Sequence, residues 1–132
     1  MNTKICTDIE QSKKLIELGI DIDTADMHYS TWTILNEGEY ILSPNQGETI
    51  EELQEDYGNQ IIPAWSLSVL LELIPNGEKN DENYVVTESH SDFYICTYRN
   101  CWDGCIHSEY SEENLLDAIF GMICWLKENG KI

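Results

Sequence analysis

Cysteine and histidine are densest in one stretch, Cys101-Trp102-Asp103-Gly104-Cys105-Ile106-His107, with Cys96 just upstream. Thiolate and imidazole are preferred zinc ligands, and a thiol beside an imidazole is also the simplest nucleophile–base pair. The spacing argues against both. Asp103-Gly104 is a two-residue hairpin signal. Such a turn pairs Trp102 with Cys105 and Cys101 with Ile106. Alternation then puts Cys101 on the opposite sheet face from Cys96, Cys105 and His107, so the four cannot share a metal. Cys96, Cys105 and His107 do share a face, but no motif supplies an oxyanion hole or a third group to orient the imidazole. The expectation is half-buried sheet residues, with no metal, no cofactor and no catalytic constellation.

The remaining candidates also read as structure. Asp21, Asp23 and Asp26 invite calcium, but an EF-hand loop begun at Asp21 needs Gly where Asp26 stands and Glu where Trp32 stands. Turn and cap roles are expected. Glu51, Glu52 and Glu55 form a solvated helix face, and Glu109, Glu112 and Glu113 suit a helix N-terminus. His28, His90 and His107 stand in unlike contexts and form no set. No phosphate loop and no Gly-x-Ser-x-Gly elbow occurs.

Aromatic residues give a different signal. Tyr94, Tyr98 and Trp102 alternate along one predicted strand face. Stacking of single-stranded bases also wants cations, and the one nearby, Arg99, falls on the other face. With Trp125 of the last helix, these three form the candidate interaction surface, suited to a protein.

Charge narrows the partner. The 132 residues hold 7 Lys+Arg against 25 Asp+Glu, a formal net charge of −18. Phosphate backbones and anionic membrane surfaces are repelled by such a field, and the cations are scattered. Direct nucleic-acid and membrane binding are therefore disfavoured. The acidity either solubilises the chain or seeks a basic partner. Met1 to Cys6 lack the apolar stretch of a secretory signal, and no run approaches the roughly 18 apolar residues of a membrane span. The five cysteines are odd in number and unevenly spaced, so free thiols in a reducing cytoplasm are expected.

Length predicts a single domain, residues 1–132. Its most apolar run is Ile61 to Pro75, read from Ser66 onward as a short buried helix whose apolar arc spans roughly 200°. Ser66 is its N-cap and Pro75 its stop. Before it, Thr7 to Glu10 reads as a capping box opening a helix that Gly19 closes. Ile20 to Met27 reads as a turn or short 3₁₀ piece. Strands are expected at Tyr29–Leu35 and Tyr40–Leu42 around a turn at 36–39. A second capping box, Thr49 to Glu52, opens an acidic helix stopped at Gly58. After a polar loop from Asn76, strands are expected at Tyr84–Glu88, Asp92 to about Trp102, and Cys105–Tyr110. Ser111 caps a last helix reaching Glu128, with an apolar arc of roughly 220° that needs cover on two sides. The fold class is α+β: an antiparallel sheet of about five strands, a buried central helix, and a C-terminal helix packed on the sheet.

Three segments carry a resemblance. They are Leu18-Gly19-Ile20-Asp21 with Thr24-Ala25-Asp26-Met27, Pro63-Ala64-Trp65-Ser66-Leu67, and Trp125-Leu126-Lys127-Glu128-Asn129-Gly130. Together they resemble a family of small acidic proteins from phages and mobile elements of gut bacteria. The likeness spans most of the chain. It implies a setting rather than an activity, because the motifs carry no chemistry of their own. The expected function is a non-enzymatic accessory protein that binds an unidentified protein partner. The alternative is an acidic nucleic-acid mimic that occupies the basic cleft of a host enzyme. The wide apolar arc of the last helix adds the expectation of a weak homodimer.

Overall fold

A computed structural model describes residues 4–31, 40–57, 61–74 and 83–132. The fold is α+β, but its strands form two three-stranded antiparallel sheets rather than one sheet of five. The extra strand is Ile61–Ala64. It lies inside the apolar run whose continuity reads as helix, and its pairing completes the first sheet. The chain divides into two compact units, Cys6–Val69, and Met1–Ile5 with Leu70–Ile132. The expected turn at 36–39, the stops at Gly58 and Pro75, and the loop 76–82 lie outside the described residues.

In the unit Cys6–Val69, helix α1 (Ile9–Glu17) is capped by Asp8. The Asp8 carboxylate accepts from the Gln11 N–H at 2.8 Å, and the Gln11 side chain accepts from the Asp8 N–H at 3.1 Å. This capping box sits one residue later than the expected Thr7–Glu10 box. Thr7 is buried and otherwise engaged. Its N–H donates to the Trp65 carbonyl at 2.9 Å, and its Oγ1 accepts from the Trp65 N–H at 3.1 Å. Gly19 ends the helix at φ +89°. The Gly19 N–H donates to the Ile16 carbonyl and the Ile20 N–H to the Leu15 carbonyl, both at 3.0 Å. That pair of bonds is a Schellman motif, whose left-handed residue glycine adopts without a Cβ clash. A 3₁₀ turn, Ile22–Thr24, follows, capped by Asp21.

Strand β1 (Met27–Thr31) is central in the first sheet, between β2 (Tyr40–Pro44) and β3 (Ile61–Ala64). Pro63 has no N–H to give a ladder, and β3 is an edge strand that tolerates this. Helix α2 (Ile50–Tyr57) buries Ile50 and Leu53. Thr49 Oγ1 accepts from the Glu52 N–H at 3.1 Å, so the predicted cap forms.

The segments Thr24–Met27 and Pro63–Leu67 meet here. Met27 pairs with Ala64 across the sheet. The Trp65 indole N–H donates to Thr24 Oγ1 at 2.8 Å, and the Ser66 N–H donates to the Asp26 carboxylate at 2.9 Å. Trp65 is fully buried. These residue types are thus needed by the architecture itself.

Helix α3 (Leu67–Leu73) follows Ser66, whose hydroxyl accepts from the Val69 N–H at 3.4 Å. Of its side chains only Leu70 is fully buried, and Leu71 is exposed. The expectation of a helix buried over a wide arc is corrected: a helix of seven residues, about two turns, presents a single core residue.

In the other unit, β5 (Tyr94–Asn100) is central between β4 (Asn83–Ser89) and β6 (Ile106–Glu112). Helix α4 (Leu115–Glu128) packs on β5 and β6. Its cap is Asn114, whose side chain accepts from the Asp117 N–H at 2.8 Å. The expected cap, Ser111, stays extended because β6 keeps pairing through Glu112 with Tyr94. Leu116, Ala118, Ile119, Met122, Ile123 and Leu126 are buried, and no apolar side chain of α4 is exposed. Gly121 makes the close approach feasible, since a Cβ there would stand 2.7 Å from the Tyr110 ring. The helix closes on Gly130 at φ +70° with a second Schellman motif, Gly130 N–H to Lys127 and Lys131 N–H to Leu126.

Candidate functional site

Two features stand out from the scaffold, one in each unit. The first is the connection between β5 and β6. A two-residue Asp103-Gly104 turn does not form. Arg99 pairs with Ile106, so the loop runs Asn100 to Cys105. Asn100 causes the earlier turn: its side-chain oxygen accepts from the Trp102 N–H at 2.9 Å and the Asp103 N–H at 3.2 Å. This local bond competes with the ladder. The Asp103 carboxylate then accepts from the Cys105 N–H at 2.8 Å, and Gly104 takes φ +70°. The turn holds its own backbone rigidly while leaving Trp102 81% exposed.

Beside the turn, Tyr84, Arg99 and Ile106 lie in one row across the three strands. Tyr84 and Ile106 are exposed. Arg99 lies over the sheet, donating from Nε to Thr97 Oγ1 at 2.8 Å and from Nη2 to Glu88 at 3.2 Å. Trp102, Ile106 and Tyr84 thus give this unit an exposed apolar rim around a paired cation.

The predicted interaction residues separate. Tyr98 is 1% exposed and offers no surface. Its ring lies 5.6 Å from that of Trp125, so this pair belongs to the packing of α4 on β5. Tyr94 is half-buried at the far end of β5. Of the four, Trp102 alone is exposed, and it sits in the turn rather than on the strand face. Tyr84 and Ile106 were missed because each looks like an ordinary alternating strand residue.

The cysteines and histidines separate as well. All five cysteines are free. Cys96 is buried, and burial pushes its thiol from 9.0 up to about 12. Cys101 and Cys105 are exposed in the turn. The register shift leaves His107 outside the pairing, and its ring tilts toward Tyr98 at 5.9 Å while Nε2 meets Asn83 at 3.1 Å. His90 stacks on Phe93 at 4.6 Å. Among the described residues, no three His, Cys, Asp or Glu side chains converge to hold a metal ion. Asp21 and Asp26 cap backbone N–H groups instead.

The second feature is a cavity of about 330 Å³ in the unit Cys6–Val69. His28 and Ser30 reach it from β1, Ser43 from β2, and Asn45 and Glu48 from the loop after β2, with Leu53 and Ile61 as apolar wall. His28 and Ser43 are directly opposed in the ladder. The loop is a tight turn in which the Glu48 N–H donates to the Asn45 carbonyl at 3.1 Å, with Gln46 and Gly47 at φ +53° and +87°. A left-handed glutamine is uncommon, and such backbone persists only where surrounding bonds hold it. Here the Asn45 N–H donates to the Asp26 carbonyl, and Asn45 Nδ2 donates to the Ala25 carbonyl at 2.9 Å.

That last bond fixes the amide. Asn45 Oδ1 faces His28 Nδ1 at 2.8 Å and must accept from it. In the neutral ring the proton is then on Nδ1 and Nε2 keeps its lone pair. Thr31, which also lines the cavity, is 8% exposed, and its hydroxyl has no hydrogen-bond partner among the described residues. A buried, unpaired hydroxyl costs roughly 1–3 kcal/mol. The three histidines gave the sequence no set, and the Asn45 to Gly47 turn was the one available signal near His28.

No family model, curated protein or solved structure matches the chain. Among the described residues no helix is long and apolar enough to cross a membrane.

Proposed function

We propose that this chain is a non-enzymatic binding protein that docks a basic protein surface through the turn Asn100–Cys105, with Trp102 as anchor. One observation carries the reading: an 81% exposed indole on a turn held by three backbone N–H groups donating to the Asn100 and Asp103 side chains. Tryptophan is over-represented among the residues that dominate binding energy, and a rigid turn removes much of the ordering cost. A net charge of −18 favours a basic partner and speeds its approach. The five free thiols support a reducing, cytoplasmic setting. The resemblance to small acidic phage proteins supports an accessory role in a phage or mobile element.

The test compares tagged wild-type chain with Trp102→Ala in pull-downs from bacterial lysate, read by mass spectrometry at low and high salt. The expected result is a basic protein that wild type retains at high salt and Trp102→Ala loses at both salts. A nucleic-acid enzyme released by salt and indifferent to Trp102 would instead mean charge mimicry, and the anchor role would be lost.

A further inference from the structure

The cavity of the unit Cys6–Val69 is not used by that reading, and its lining chooses among ligands. Among the described residues the lining contains no lysine or arginine, and Glu48 stands at it. With −18 on the chain, an anion is disfavoured there. Among the described residues the lining also contains no tyrosine, tryptophan or phenylalanine on which a flat base could stack. What it does contain is His28, Ser30, Thr31, Ser43, Asn45 and Gln46. Hydroxyl and amide side chains both donate and accept, while in the neutral ring His28 Nε2, by the bond through Asn45, accepts. The matching ligand groups are hydroxyls, which also do both.

Thr31 supplies the independent sign that a ligand belongs there. Buried polar groups are nearly always paired, and an unpaired one calls for a partner. Its hydroxyl is buried, lines the cavity and has none among the described residues. His28, 9% exposed, likewise shows no hydrogen bond at Nε2 among the described residues. The volume of about 330 Å³ is at the small end of ligand pockets. We propose that this cavity binds a small uncharged polyhydroxylated ligand, a monosaccharide or polyol, with one ligand hydroxyl donating to His28 Nε2 and another pairing with Thr31.

Backbone and histidine-ring NMR on the whole chain tests this, with D-glucose and glycerol as probes and inorganic phosphate and uridine as controls, each at millimolar concentration. Saturable shifts are expected for a neutral probe, centred on His28, Ser30, Thr31 and Asn45, with the His28 ring showing the Nδ1–H tautomer. Thr31→Val should weaken binding roughly tenfold, the worth of one good hydrogen bond, while leaving thermal stability unchanged or raised because an unpaired hydroxyl has gone. Should that variant fail to fold, Ser43→Ala provides the same comparison across the ladder. Tighter binding of phosphate or uridine, no saturable shift with either neutral probe, or unchanged affinity in the folded variant would each overturn the assignment.

Discussion

The unit Cys6–Val69 buries Thr7, Ser12, His28 and Thr31, whereas the other unit buries Thr97 and Asn114 and packs a largely apolar helix on its sheet. The first holds its elements by directed bonds. Thr7 takes both backbone groups of Trp65, Ser12 Oγ lies 2.8 Å from Thr7 Oγ1, and the Tyr29 hydroxyl donates to the Thr7 carbonyl at 2.7 Å. The second relies on area: six fully buried apolar residues of α4 against β5 and β6. Directed bonds fix geometry at particular atoms, so they can leave one polar group over, as at Thr31. Apolar packing is indifferent to direction and leaves its polar groups at the rim, where the β5–β6 turn sits.

Truncation should first separate core from surface. Met122→Ala should cost about 2–5 kcal/mol, as should Leu70→Ala, because each leaves a cavity in a packed interior. Glu51→Ala, on the solvated face of α2, should stay within about 0.5 kcal/mol. Denaturant melts of the three variants check this, and comparable losses would erase the distinction between core and surface.

Thr7→Val probes the hydrogen-bonded unit. Shape is nearly kept, but the Trp65 N–H and the Ser12 hydroxyl lose their shared partner. A loss of roughly 1–3 kcal/mol is expected. A neutral result in the same melts would mean that this unit also rests on area alone.

Legibility in the sequence follows the same division. Periodicity found α4 and its stop at Gly130, because apolar spacing reports directly on what is buried. It found β4, β5 and the α1 stop at Gly19 for similar reasons. It failed where a polar side chain decided the local structure. Thr7 and Asp8 are both good caps, and the choice between them rests on Trp65, 57 residues or more away in the chain. Asn100 moved the β5–β6 turn, since its side chain outcompeted the Asp103-Gly104 signal. Ile61–Ala64 carries no readable signal of a strand, because a buried edge strand and the apolar approach to a helix look alike. The cavity was invisible for a related reason: His28, Thr31 and Asn45 meet only through pairing of β1 with β2.

Alkaline pH should press on both units. Burial holds the Cys96 proton to about 12 against 9.0 in the unfolded chain, and burial, with Cys6 beside it, raises Tyr29 as well. Between pH 9 and 12 the unfolded state has released the Cys96 proton that the folded state keeps. Stability is therefore whole below pH 9 and falls above it, by up to about 1.4 kcal/mol per pH unit for that group. Melts of wild type and Cys96→Ala between pH 8 and pH 10 should show a shallower decline in the variant (pH values chosen around the shift at 9.0). Parallel declines would assign the alkaline loss to Tyr29 and the first unit.

The remaining expectation is self-association. The apolar side chains of α4 are covered within the chain, so that helix does not supply the contact. The exposed rim of Trp102, Ile106 and Tyr84 remains. Two indoles burying about 150–250 Å² each, at about 25 cal/mol per Å², contribute roughly 8–12 kcal/mol. Association itself costs about 4–15 kcal/mol, which leaves little. Two chains of −18 also repel, although physiological salt screens charges beyond roughly 8 Å. We propose a weak homodimer favoured by salt, with Kd near 100 μM, about 5.5 kcal/mol of association free energy. Sedimentation at two salt concentrations should show more dimer at the higher one, and Trp102→Ala should be monomeric at both. A wild-type monomer throughout would mean that Trp102 is held open for a foreign surface only, and a dimer that survives Trp102→Ala would move the contact off this turn.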